Sequence, residues 1–226
     1  MAADIKDPKL HHGHRKRMLS KYQRLGAAAF ESHELLEMLL FYGIAGKNTN
    51  DTAHALIYDN KDLFHTLRAD IPTLTKTKGI GPKNAMLVRL ANDLVRQAEL
   101  ENLATVPFNN EFRIQRYITC WYSNQPLSTV MAMFLTKDLK LLETVTLSQG
   151  RKLRCQHYSE EILKHAQLPG AHYVILTHNH YDNCPNPSDN DLFLTSDART
   201  VLASNGKSLI NHYIVTDHDC IPIASC

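Results

Sequence analysis

Two histidines one residue apart, with an aspartate eleven residues beyond the second, constrain this chain more than any other feature. They read His178-Asn179-His180, then Ser188-Asp189-Asn190-Asp191. The residues ahead of them, 172–177, include the continuous apolar run Val174-Ile175-Leu176, typical of a strand covered on both faces. Residues i and i+2 of a strand point the same way, so His178 and His180 project together from its end. Pro187-Ser188 then opens a helix over 189–204, with Ser188 as N-cap and Asp191 at the third helical position of a capping box. One reading is that Ser188 and Asp191 only start a helix and the histidines only line a loop. The joint pattern favours the other, in which strand end and helix start meet around a cation. Two imidazoles and a carboxylate suit a borderline divalent metal, zinc above all, and three protein ligands with a fourth position left for water is the catalytic form of such a site.

The 226 residues suffice for one large or two small domains. With 43% hydrophobic and 21% charged residues the composition is that of a soluble globular protein. No apolar run approaches the roughly 18 residues that span a membrane. The start, Met-Ala-Ala-Asp-Ile-Lys-Asp, lacks the apolar core of a signal peptide, so the expected compartment is cytoplasmic, with no membrane partner. Five cysteines without CxxC spacing read as free thiols rather than a disulfide framework. Lys and Arg outnumber Asp and Glu 15 to 12 over residues 1–105 and trail them 10 to 11 over 106–226. That bias is compatible with a nucleic-acid-facing first half and does not establish one.

The first half reads helical. The run 15–25 is basic and amphipathic, and Ser32 is expected to cap a helix that Gly43 closes, with Leu35, Leu36, Leu39 and Leu40 on one face. Asn50 or Asp51 caps another through Ile57, and a short helix follows near 62–67. His11, His12 and His14 read as part of a basic terminal segment rather than a metal tract. Residues 102–110 read as a linker, followed by a helix to Tyr122. From there the period changes to that of strands: 129–135 and 141–147 form a hairpin, 159–167 a helix, and 210–216 a last strand. The expected organisation is an all-α domain over 1–105 and an α/β domain over 106–226.

His178, His180, Ser188 and Asp191 match the HxHx7SxxD signature of JAMM/MPN metalloprotease domains. With Pro185-Asn186-Pro187-Ser188, Ile210-Asn211-His212-Tyr213-Ile214-Val215 and, in the helical half, Glu34-Leu35-Leu36 and Lys78-Gly79-Ile80-Gly81, the chain resembles the RadC family (UPF0758) over nearly its whole length. The resemblance implies an α/β JAMM/MPN fold, cytidine-deaminase-like, after an all-α helix-hairpin-helix domain. It also implies Zn2+ held by His178, His180 and Asp191 with water as fourth ligand, a serine at 188 that steadies an oxyanion, and hydrolysis of a peptide or isopeptide bond.

The family's glutamate, the base that moves the water proton, lies seven residues before a Leu-Asp step. Here the step reads Leu135-Thr136 and places Ser128 at the glutamate position. A serine cannot serve as that base unaided. Glu143 or Glu160 is then the substitute base, or each simply sits on a solvated face. Asn211 stands where the family has an aspartate, which removes a carboxylate from behind the ligands. Two functions remain open: a zinc-dependent hydrolase, or a catalytically degenerate, non-enzymatic DNA-associated or scaffolding protein that keeps its zinc. In the helical half Lys78, Gly79, Gly81 and Lys83 form the turn of a helix-hairpin-helix, which either contacts a DNA phosphate through backbone amides and lysines or only packs helices.

Overall fold

The computed structural model describes residues 13–123, 125, 127–150, 158–180, 182–217 and 219–223; His11, His12 and Cys155 lie outside them. The chain divides into two compact units, one through Val95 and one from Arg96.

The first unit is helical: α1 (His14–Leu25), α2 (Ser32–Leu40), α3 (Asn50–Asp59), α4 (Leu63–Arg68), α5 (Ile71–Leu74) and the first part of α6 (Pro82–Ala104). Its core is Leu36, Leu40, Ala53, Leu56, Leu74, Ile80, Ala85 and Val88. Two of these helices, α4 and α5, start on short polar side chains that accept from first-turn N–H groups a helix leaves unpaired. Asp62 accepts from His65 N at 2.8 Å and Asp70 from Thr73 N at 2.8 Å. Ser32 is not the cap expected: α2 starts one residue earlier, where the Glu34 carboxylate accepts from Glu31 N at 2.9 Å. Gly43 lies in the turn beyond α2 rather than at its cap, and a Cβ there would collide with the Asn84 side chain. In the turn before α6, Gly79 has a φ of 94°, which an L residue rarely adopts, whereas Gly81 does not need its glycine for space. Lys78 and Lys83 are exposed on either side of that turn.

In the second unit, α7 (Glu111–Tyr122), capped by Asn110 on Arg113 N, and the end of α6 cover one face of a mixed sheet. The other face carries α8 (Tyr158–Ala166) and α9 (Asp189–Ser204). The strands are β1 (Thr129–Leu135), β2 (Leu141–Gln149), β3 (Tyr173–Asn179), β4 (Ser208–Val215) and β5 (Cys220–Pro222), in the order β2-β1-β3-β4-β5. The pattern 129–135 and 141–147 forms the expected hairpin, and β3 and β4 are parallel with α9 as their crossover. The short edge strand β5, pairing Tyr213 with Pro222, has no sequence signal of its own.

Alternation along β1 sends Met131, Met133 and Leu135 into the α7 core and Val130, Ala132 and Phe134 into the α8–α9 core. All seven β1 residues are buried, as befits a strand with neighbours on both edges and both faces. The same alternation in β3 places Val174, Leu176 and therefore His178 on the α9 side.

No helix among the described residues is long and apolar enough to cross a membrane.

Candidate metal centre

His178 is the sixth residue of β3 and only 2% exposed; His180 follows the strand, its N–H donating to Val215 O at 2.9 Å. Asp191, 4% exposed, stands in the first turn of α9. The strand end and the helix start thus meet as the sequence pattern requires, and the three side chains offer ligand atoms within 4.8 Å of one another. His178 Nε2 lies 2.8 Å from His180 Nε2 and 3.1 Å from Asp191 Oδ1, and His180 Nε2 lies 3.4 Å from Asp191 Oδ2.

The partners on the far side of each ring decide what these nitrogens carry. His180 Nδ1 is 2.8 Å from Cys184 O, a carbonyl that only accepts, so the His180 proton sits on Nδ1 and Nε2 keeps its lone pair. His178 is fixed by a longer relay. The Thr195 hydroxyl donates to Asp191 O at 2.6 Å, so its oxygen accepts from His212 Nδ1 at 2.7 Å. His212 Nε2 therefore accepts from His178 Nδ1 at 2.8 Å, which leaves the His178 Nε2 lone pair facing Asp191. His212 is fully buried and Thr195 is 5% exposed. Burial first, and then its histidine neighbours, push the His212 imidazole well below its usual value, which keeps it neutral as the relay needs.

Two lone pairs and a carboxylate converging in a buried space repel one another unless a cation lies between them. Tetrahedral ligands about 2.0–2.1 Å from a small divalent ion stand roughly 3.3 Å apart, which matches the separations above. The residues present therefore fit a divalent metal.

Asp191 is held in place from α9 itself. Ser188 Oγ and Ser188 N donate to Oδ2 at 2.6 and 2.8 Å, and Asp191 N donates back to Ser188 Oγ at 3.3 Å. This is the expected capping box, and it turns Oδ1 toward the histidines. Burial works to raise the Asp191 carboxyl; in the absence of a metal, a His178 that takes a second proton on Nε2 donates to Oδ1 and adds its charge, and with the Ser188 hydroxyl and amide this overcomes burial and holds the group well below the usual carboxylate range. The Ser188 hydroxyl proton is thereby engaged by Asp191.

The other residues expected at the site stand as follows. Glu143 is opposite Phe134 in the β1–β2 register, whereas His178 is opposite Val130 in the β1–β3 register. Four residue steps, about 13 Å along the sheet, and two strand spacings separate them. Glu143 instead meets His165 Nδ1 at 3.2 Å, so the strand register corrects its reading as a substitute base. Glu160 is exposed on α8, whose buried face is Ser159, Ile162 and Ala166; helical geometry turns it to solvent and away from the sheet, which corrects that reading too. Ser128 directly precedes β1, its carbonyl accepting from Gly150 N at 2.7 Å, and the alternation Val130, Ala132, Phe134 carries position 128 onto the face of His178. Asn211 is not behind the ligands: its Oδ1 accepts from His212 N at 2.9 Å, and alternation turns residue 211 away from the face of His212. Thr195 fills that role. Sequence reasoning missed it because a mid-helix threonine carries no signal beyond its spacing from Asp191. Cys184 contributes its carbonyl to His180, and Asp182 accepts from Cys184 N at 3.1 Å.

Residues 88–225 match the family model described as the RadC-like JAB domain, and residues 11–86 match the UPF0758 N-terminal model. A UPF0758 protein of Fusobacterium nucleatum is 28% identical over 212 residues, covering 90% of this chain and 91% of its own. One from Cupriavidus necator is 26% identical over 212 residues, covering 93% of each chain. One from Stenotrophomonas maltophilia is 29% identical over 193 residues, covering 84% of this chain and 82% of its own.

Proposed function

This chain belongs to the RadC family, and we propose that it is a cytoplasmic zinc-binding protein whose centre is of the JAMM hydrolase type, directed at a peptide or isopeptide bond. One observation carries the reading: the partners across the two rings are His212 Nε2 and Cys184 O, which assign both protons to Nδ1, away from Asp191, so that two imidazole lone pairs and a carboxylate converge. The nitrogen-rich donor set favours zinc over magnesium or calcium, which prefer oxygen. His178 Nε2, His180 Nε2 and Asp191 Oδ1 would hold the ion. The chemistry zinc supplies in such a site is Lewis acidity, toward a carbonyl oxygen and toward water. Ser188 serves the reaction by releasing its bond to Asp191 and donating to the oxyanion that develops on the carbonyl.

A second reading, a non-enzymatic protein that keeps its zinc, is favoured by a specific observation: the residue on the ligand-bearing face at the start of β1 is Ser128, with no carboxylate to move a proton. Zinc content separates the metal claim from its alternatives. Wild type is expected to carry one zinc per chain and His178→Ala and Asp191→Ala far less; equal content in all three would refute the site. Hydrolysis of an isopeptide substrate by Ser128→Glu but not by wild type would assign the natural chain to the second reading.

For the first unit the reading includes association with DNA through phosphate contacts at Lys78, Gly79, Gly81 and Lys83. It is supported by the exposure of both lysines beside a left-handed glycine. Such contacts are sequence-independent and weaken with salt.

A further inference from the structure

We propose that Asn183 and Asp217 are positioning residues of the metal centre. They clamp the loop beyond His180 and so keep the Cys184 carbonyl, the atom that decides where the His180 proton sits, against Nδ1. The inference rests on the reading of His178, His180 and Asp191 as metal ligands.

The two histidines are held differently. His178 is 2% exposed, and its acceptor, His212 Nε2, lies in the core, where packing keeps it in place. The His180 side chain is 18% exposed, and its acceptor is the carbonyl of a loop residue. Asp182 and Asn183 ahead of that carbonyl, and Pro185 and Asn186 after it, are exposed. Burial therefore does little to fix this loop, and polar contacts must.

Those contacts converge on one turn. Asn183 takes a φ of 55°, in the left-handed region that asparagine enters more readily than most residues with a side chain. Cys184 N donates to Asp182 Oδ1 at 3.1 Å, and the chain bends back so that Cys184 O meets His180. The Asn183 side chain reaches the turn between β4 and β5: its Oδ1 accepts from Asp217 N at 2.9 Å, and its Nδ2 donates to Asp217 Oδ2 at 3.0 Å. That turn is itself braced, Thr216 N donating to Asp219 O and Asp219 N to Thr216 Oγ1, each at 2.9 Å. His180 N donates to Val215 O, two residues before Asp217. The backbone of His180 and the side chain of Asn183 are thus fastened to the same three residues, 215–217. Asp217 itself stands outside the ligand group, which among the described residues is His178, His180 and Asp191. It acts through Cys184 O.

Without the clamp, the loop samples arrangements in which Cys184 O leaves Nδ1. The His180 proton is then free to move to Nε2 and toward Asp191 Oδ2, 3.4 Å away, and a protonated Nε2 has no lone pair for a metal. Affinity falls with the fraction of molecules whose loop is in place.

Three variants of the full chain test this. Asp217→Ala removes the acceptor for Asn183 Nδ2, Asp217→Asn keeps one in its own Oδ1, and Asn183→Gly permits the left-handed backbone but loses both side-chain bonds. Proton–nitrogen correlation spectra of the metal-free proteins at about pH 8.5, above the ordinary imidazole range, report which ring nitrogen carries the proton, and circular dichroism confirms folding. Wild type and Asp217→Asn are expected to hold the His180 proton on Nδ1. Asp217→Ala and Asn183→Gly are expected to shift it toward Nε2, with the His178 tautomer, set by His212, unchanged. Zinc affinity, read by competition with a chromophoric chelator, is expected to fall about fivefold in Asp217→Ala and Asn183→Gly and to return in Asp217→Asn. The proposal is overturned by a wild-type His180 protonated on Nε2, by folded Asp217→Ala and Asn183→Gly proteins with the wild-type tautomer, or by a loss that Asp217→Asn does not restore. A wild type that binds no zinc would refute the ligand reading, and the tautomer, read without metal, would still decide the clamp.

Discussion

Replacing His212 by Leu, of similar size and wholly apolar, tests the claim that the metal centre is prepared from behind. In the native arrangement His178 Nδ1 donates to His212 Nε2 at 2.8 Å inside the core. Without that acceptor, His178 has two choices. In the metal-free protein it can move its proton to Nε2 and give it to Asp191 Oδ1, 3.1 Å away, so little is lost. With a metal on Nε2 the proton must stay on Nδ1, buried and unpaired, at a cost of about 1–3 kcal/mol. The penalty therefore falls on the bound state, and at 1.4 kcal/mol per factor of ten it predicts zinc affinity lower by roughly 5- to 150-fold, in line with the effect of removing such partners elsewhere. Competition against a chromophoric chelator at neutral pH measures it, with circular dichroism to confirm that the metal-free variant is folded. His212→Gln, whose Oε1 can accept, is expected to recover most of the loss. Thr195→Val frees the His212 proton to shift to Nε2 and should weaken binding in the same direction by a smaller factor. A folded His212→Leu protein that binds zinc as tightly as wild type would refute the relay.

Glu143→Gln is expected to leave zinc affinity and any hydrolysis unchanged and to cost at most about 1 kcal/mol in denaturant unfolding, through its half-exposed partner His165; a loss of activity at constant stability would contradict the strand register. The Asp191 carboxyl titrates below its ordinary value of 3.8 in the folded chain. Its charge therefore stabilises the metal-free protein fully above that value, and the contribution fades as the pH falls through the lower folded-state value. Metal-free Asp191→Asn should consequently show a shallower loss of stability between pH 6 and about pH 2 than wild type, and parallel curves would count against it. For the proposed DNA association, Lys78→Ala and Lys83→Ala should each weaken binding to unrelated sequences alike and reduce the salt slope by about 0.9 per lost phosphate contact; an unchanged slope in the double variant would remove the turn before α6 from the interface.

The convergence of His178, His180 and Asp191 was legible because its signals were local. His178 and His180 share a face through the two-residue period of a strand, and Ser188 and Asp191 meet through one turn of helix, so four residues in two short segments already state the geometry. The strands β1 to β4 were legible from their short apolar or β-branched runs, although only β1 and β3 are buried on both faces and the edge strand β2 is partly exposed. The relay of three hydrogen bonds from Asp191 O through Thr195 and His212 to His178 Nδ1 was not legible, since His212 and Thr195 come from a different strand and a different turn, and neither is marked by spacing. Nor was the fate of Glu143: its distance from the ligands depends on which residue of β1 it pairs with, and register is set by the whole sheet.

The sequence by itself, then, determined which three side chains converge. Only the tertiary structure decided that both histidines carry their protons away from the aspartate, because a tautomer is chosen by the atom across the ring and that atom is brought there by packing. The pairing of β3 with β4 and the packing of α9 over them deliver His212 and Thr195 to the back of His178.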